Sequence, residues 1–157
     1  MKDIQFKYKA PREYAQKLIT TLGAPTCVSE QHPAILMWLK PPSPYIEIKL
    51  IDEYIPHSFP KPHHDFVYSK ISLKKYGKIT PKIACALLKV TGSIIIDLLK
   101  QEVTARCGGL LANDVTLSFV CDVLQKKAQP TKKEYAHRIL NGIVTRRQFN
   151  LHKKIQK

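Results

Sequence analysis

The sequence predicts an α+β fold, a small antiparallel sheet from the N-terminal half packed on a helical layer. Three observations predict it. Short period-two runs at 4–8 and 45–50 and a compact apolar run at 35–39 crowd the first half of the chain. The second half repeats its apolar residues at steps of three and four, the spacing of helices. Between them, residues 80–107 are the longest apolar stretch and read as one long central helix. Strands first and helices later is an α+β order. One domain is expected over 1–157, with 1–73 mainly strands plus one helix, 80–145 helical and 146–157 a basic tail.

Each element follows from local pattern. Ile4, Phe6 and Tyr8 alternate with Gln5, Lys7 and Lys9, as in a half-buried strand. Pro11 opens a helix to about Leu22, with Tyr14, Leu18 and Leu22 on one face and Gly23 closing it. Residues 24–33 read as a loop. Residues 35–39 form a compact apolar strand holding Trp38, and Pro41, Pro42 and Pro44 turn the chain. Ile46, Ile48 and Leu50 then alternate with Tyr45, Glu47 and Lys49 in an antiparallel partner strand. Pro56, Pro60 and Pro62 make 52–65 a long loop, because proline cannot donate to a central ladder. Residues 66–73 read as a strand, with a helix as the alternative.

Thr80 caps the central helix and Pro81 suits its first position. Ile83, Leu87, Val90, Ile94 and Leu98 form one row, and Ala84, Leu88, Ile95, Leu99 and Val103 a second. Gly108 and Gly109 stop it. A helix apolar over most of its circumference must be wrapped by other elements or by another chain. A further helix spans 113–127, with Asn113 as cap and Val115, Phe119, Val120, Val123 and Leu124 buried. Thr131 and Glu134 form a capping box for the last helix, whose face carries Tyr135, Ile139 and Ile143.

Charge is the functional signal. The chain has 26 Lys and Arg against 12 Asp and Glu, a net +14. The excess is +6 over 61–89 and +9 over 126–157, two blocks flanking neutral apolar sequence. Such blocks point to an anionic partner. The expected function is non-enzymatic and largely sequence-nonspecific nucleic-acid binding, DNA rather than RNA. The expected contacts are Lys74, Lys75, Lys78 and Lys82 in the first block, and Lys126, Lys127, Lys132, Lys133, Arg138, Arg146, Arg147, Lys153 and Lys154 in the second. Tyr135, His137, Phe149 and His152 interleave the second block, as bases stacking on aromatics would require. The alternative is a structural or assembly protein, homodimeric, whose charge attracts an acidic partner.

Cys27, Cys85, Cys107 and Cys121 are dispersed and form no C-x-x-C pair. Cys85 and Cys121 lie within apolar runs and are expected to be buried. A reducing, intracellular setting follows. No signal-like leader and no apolar run of about 20 residues is present, so no membrane partner is expected.

Two patterns could carry chemistry. His57, His63, His64 and Asp65, with Asp52 and Glu53 upstream, offer metal-ligand types. Their spacing matches no closed zinc motif, so the segment reads as a polar, Pro-stiffened loop, and no metal or cofactor is assigned. Glu47 and Lys49 form an E-x-K that resembles the core of restriction-type metal nucleases, where carboxylates hold Mg²⁺ and the Lys positions water. That family places an Asp at the start of the preceding strand, where this chain offers only Glu30. A metal-dependent nuclease is therefore the lesser alternative, and no catalytic residue is assigned. G-x-S-x-G, P-loop, G-x-G-x-x-G and Cys-His nucleophile patterns are absent.

Two wider resemblances complete the reading. Residues 66–124, a short element, a long helix and a third helix entered through LLANDVTLSFVCDVL, resemble the core-histone fold. The stretch HDFVYSKISLKKYGKI is similar to uncharacterised proteins of large nucleocytoplasmic DNA viruses, the marseillevirus group among them. That similarity implies a virion, host-cytoplasmic or nuclear setting.

Overall fold

The computed structural model describes residues 4–155. The chain folds as α1 (Lys9–Leu22), β1 (Cys27–Ser29), β2 (Ile35–Trp38), β3 (Tyr45–His57), β4 (His63–Ser72), α2 (Pro81–Val90), β5 (Ile94–Asp97), β6 (Glu102–Cys107), α3 (Leu110–Leu124), α4 (Lys132–Asn141) and α5 (Leu151–Ile155). The six strands form one antiparallel sheet in the order β1-β2-β3-β4-β6-β5. The fold is α+β, as the sequence predicts.

Side-chain alternation sets the layers. Ile48 and Leu50 of β3, Val67, Ser69 and Ile71 of β4, and Val103, Ala105 and Cys107 of β6 are all buried beneath the helices. The opposite face shows Glu47, Lys49, Lys70 and Asp97. Helix α3 packs on β4 and β6, and α4 and α5 pack on α3. Helix α1 lies against β3 and α5. Its N-terminus is tied down by Asp52, whose carboxylate accepts from the amides of Lys7 (2.5 Å) and Tyr8 (3.1 Å). A negative charge there also complements the helix dipole.

The predicted 80–107 helix is the main correction. It starts as expected, with Thr80 accepting from the Ile83 amide and Pro81 at its head, but ends at Val90. Thr91 is extended, and Ile94–Asp97 and Glu102–Cys107 form a hairpin. Gly92 interrupts the run, and three consecutive isoleucines favour a strand over a helix. In so apolar a segment, steps of three and four arise without a helix. The segment resembling the long histone helix is thus a short helix followed by two strands. The central helix is α3, with twelve of fifteen residues buried.

Other elements also differ. Residues 4–8 are not a strand; they lead into α1. The expected loop at 24–33 contains β1. The expected loop at 52–65 is mostly strand, with β3 reaching His57 and β4 starting at His63. Pro56 is tolerated because β2 pairs only with Ile48–Ile51, leaving the far half of β3 with a single partner. Two of the six strands come from the C-terminal half. Cys121 is buried as expected, but Cys85 is exposed because it lies on the outer side of α2. Among the described residues the most open apolar side chain is Leu99, 98% exposed at the turn between β5 and β6, and Leu140 of α4 and Leu88 of α2 are about half exposed. No helix among the described residues is long and apolar enough to cross a membrane.

Candidate functional site

Helix α3 carries a row of buried polar residues that hold the helical layer together. Asn113 donates to the Val67 carbonyl and to Ser69 Oγ, at 3.3 and 2.9 Å. Asp114 accepts from the Tyr45 hydroxyl and meets Nδ1 of His152 at 2.5 Å. Burial raises the pKa of Asp114, against hydrogen bonds from Tyr45 and His152 that favour its ionised form. Asp122 meets Arg138 Nη1 at 2.7 Å, Arg146 Nη2 at 2.9 Å and Thr145 Oγ1 at 2.6 Å. Burial alone would raise the Asp122 pKa, but Thr145, Arg138 and Arg146 outweigh it and hold the carboxyl below its ordinary value.

These pairs remove two residues from the expected nucleic-acid surface. Arg138 is buried between Asp122 and Glu134. Arg146 is clamped by Asp122 and Gln125 and stacks over the Tyr76 ring. Both guanidiniums are spent inside the fold. His152 is likewise buried on Asp114, and Tyr135 and Phe149 are core residues, so these three aromatics offer no stacking face.

The remaining basic residues are placed by the same elements. Lys74, Lys75, Lys78 and Lys82 are exposed on the segment from β4 into α2. Lys126, Lys127 and Lys133 are exposed beside the C-terminal end of α3 and, with His137, line a shallow groove of about 640 Å³. Glu134 is the one acidic residue in that groove, and its carboxylate is engaged by Arg138. The two blocks meet. The Tyr76-Gly77 turn lies on the end of α3, so that a Cβ on Gly77 would come 3.9 Å from the Leu124 carbonyl oxygen. Gln148 donates to the Tyr76 hydroxyl at 3.0 Å, bringing the exposed Arg147 to the same end. Lys132 turns toward the Phe59 ring, and Lys153 and Lys154 stand on α5.

Glu47 and Lys49 stand on the open face of the sheet, each beside a neighbour on β4. Lys70 lies 3.8 Å from Glu47, and the Lys49 ammonium sits over the Tyr68 ring. Glu30 is exposed after β1.

The residues set aside in sequence as loop come together instead. His57 and His63 are direct partners across the β3–β4 ladder, and Asp65 is two residues farther on. Successive strand residues alternate sides, so His57, His63 and Asp65 share one side. His64 points away and stacks on Tyr54. Asp65 is fully buried; its Oδ2 lies 3.1 Å from His57 Nδ1 and its Oδ1 lies 2.9 Å from His63 Nε2. Arg106 Nε approaches Oδ2 at 3.7 Å. Ser93 Oγ is 3.0 Å from His57 Nδ1. Ser93 and Asp65 thus converge on the same ring nitrogen. A serine-histidine-carboxylate relay needs opposite nitrogens, so this is not a hydrolase triad. The nearby Cys107 thiol is pushed up to about 12 by burial and by Asp65, which makes it inert rather than nucleophilic.

The approach of β4 to β6 that builds this corner depends on Gly108, where a Cβ would meet the His64 carbonyl oxygen at 2.8 Å. The pattern was legible in principle: read as a hairpin turn, residues 58–62 place positions 57, 63 and 65 on one side. The three prolines argued for a loop and hid it.

The chain matches no protein-family model, no curated protein and no solved structure.

Proposed function

We propose that the chain binds nucleic acid, DNA first, through the basic surface around the C-terminal end of α3, without reading sequence. One observation carries this: Lys74, Lys75 and Lys78 join Lys126, Lys127, Lys133 and Arg147 around one helix end, although about fifty residues separate the two blocks. The placement of the carboxylates supports it. Asp52, Asp65, Asp114 and Asp122 are buried, and Glu53 and Glu134 are engaged by Tyr68 and Arg138. Among the described residues, Lys9 and Lys70 are the lysines within ion-pair distance of a carboxylate. The outer lysines are therefore uncompensated, as phosphate contacts require.

The test is binding of unrelated duplexes over a salt series. Affinity should fall steeply with salt. Charge reversal at Lys126, Lys127 and Lys133 should weaken every duplex alike, and each lost contact should flatten the log–log slope by about 0.9. Affinity insensitive to salt, or unchanged by the triple reversal, would overturn the proposal. Arg138 and Arg146 are unsuitable probes, because their loss would unpair Asp122.

A further inference from the structure

We propose that His57, His63 and Asp65 bind a divalent transition ion of the nitrogen-seeking kind, zinc foremost. The three ligating atoms lie within 4.8 Å of one another. Small side-chain rotations would bring them onto one ion at about 2.0–2.2 Å.

Three features distinguish this corner from an ordinary polar cluster. The first is the orientation of His63. Its Nδ1 lies 2.7 Å from the Lys61 carbonyl oxygen. A carbonyl only accepts, so Nδ1 holds a proton and Nε2 is the nitrogen turned to Asp65. A ring anchored this way on a backbone carbonyl has the outer support typical of a metal-bound imidazole.

The second is an unmade hydrogen bond. His63 Nε2 is 2.9 Å from Asp65 Oδ1, yet the approach is out of line, and this fully buried oxygen has no donor. An orphaned buried carboxylate oxygen is costly. A cation seated between the ring nitrogen and the carboxylate removes that cost.

The third is access. A cavity of about 210 Å³, lined in part by Pro60, His63, Cys107 and Tyr135, opens beside His63. Three protein ligands leave the fourth tetrahedral position free for water or a small anion, and the cavity supplies the room.

Arg106 works against any cation here, since its guanidinium lies 3.7 Å from Asp65 Oδ2. That fixed charge disfavours Mg²⁺ and Ca²⁺, which depend on carboxylate charge. It leaves the imidazoles to select zinc, cobalt or nickel.

The experiment is a Co²⁺ titration of the full chain followed by visible absorption, then displacement by Zn²⁺. It uses a Cys27→Ser, Cys85→Ser background, because both thiols are exposed and would compete. One equivalent of Co²⁺ should produce tetrahedral bands that Zn²⁺ abolishes. His63→Gln, a partly exposed position whose folding circular dichroism can verify, should weaken binding by about tenfold or more. Arg106→Gln should tighten it, and His64→Ala should leave it unchanged. The proposal falls if no saturable one-equivalent binding occurs, or if His63→Gln leaves the affinity unchanged. It falls equally if nitrogen-15 spectra of the metal-free chain show both His63 ring nitrogens protonated and unmoved by added metal. That last result would identify a plain imidazolium–carboxylate pair.

Discussion

At the residue scale, Asp122 is the strongest single anchor. It is nearly buried and receives two guanidiniums and a hydroxyl. Removing one member of such a group leaves the others buried and unpaired. Asp122→Ala should therefore cost about 3–5 kcal/mol, measured by urea unfolding. The pH dependence has a definite sign. The folded pKa of Asp122 lies below its unfolded value. Its stabilisation is therefore present above the ordinary aspartate range and is lost as pH falls through the folded pKa. Asp114 is opposite: burial raises its pKa, so its contribution is present at low pH and fades as pH rises through the folded value. Asp122→Asn should flatten the acid limb of the stability profile. An unchanged limb would show that Asp122 is not the group lost in acid.

At the element scale, the β5–β6 hairpin replaces the second half of an expected helix, and Gln101 shows why it holds. Gln101 sits at φ 55, an uncommon conformation for a residue other than glycine. Its amide makes a reciprocal pair with the buried Ile79 backbone, accepting from N–H at 2.8 Å and donating to the carbonyl at 3.1 Å. Its own carbonyl accepts from the Leu73 amide at 2.8 Å. One turn residue thus pins the hairpin to the segment entering α2. Gln101→Ala should cost about 1–3 kcal/mol by thermal unfolding, because it orphans both polar groups of Ile79. Gln101→Glu keeps the acceptor and loses the donor, so it should fall between the two. Equal stability of wild type and alanine variant would remove this role. Nothing in a lone glutamine advertises such a bond, which joins positions 22 residues apart. What the sequence did disclose was local. Thr80-Pro81 and Thr131 with Glu134 mark helix starts because caps act within one turn. The α+β class was legible from period alone. Strand limits at Pro56, and the helix-to-hairpin change after Val90, depend on which neighbours a strand has, and a single sequence does not state neighbours. The same limit hid His57, His63 and Asp65, which become one cluster only through the β3–β4 register. The basic blocks were visible as composition, but not that Arg138 and Arg146 face inward.

At the scale of the whole molecule, charge is sorted by depth. Four aspartates are buried, while most lysines stand outside without carboxylate partners. The interior pairs are short and shielded, so dissolved salt screens them little. The exterior lysines repel one another across water, where a Debye length is about 10 Å at 0.1 M and shrinks as salt is added. A net charge of +14 therefore opposes the compact state most strongly at low ionic strength. Added salt should raise the thermal midpoint, by about 2–4 °C between about 10 and 300 mM, if screening removes about 1 kcal/mol of repulsion. Nucleic-acid affinity should fall over the same interval, because each released counterion gains less entropy in more concentrated salt. The two responses have opposite signs and come from the same lysines. Charge reversal at Lys126, Lys127 and Lys133 should shrink both, weakening binding while leaving the midpoint equal or higher at low salt. A midpoint that falls with salt would show that the exterior lysines are not a net source of repulsion, and would overturn this account of the surface charge.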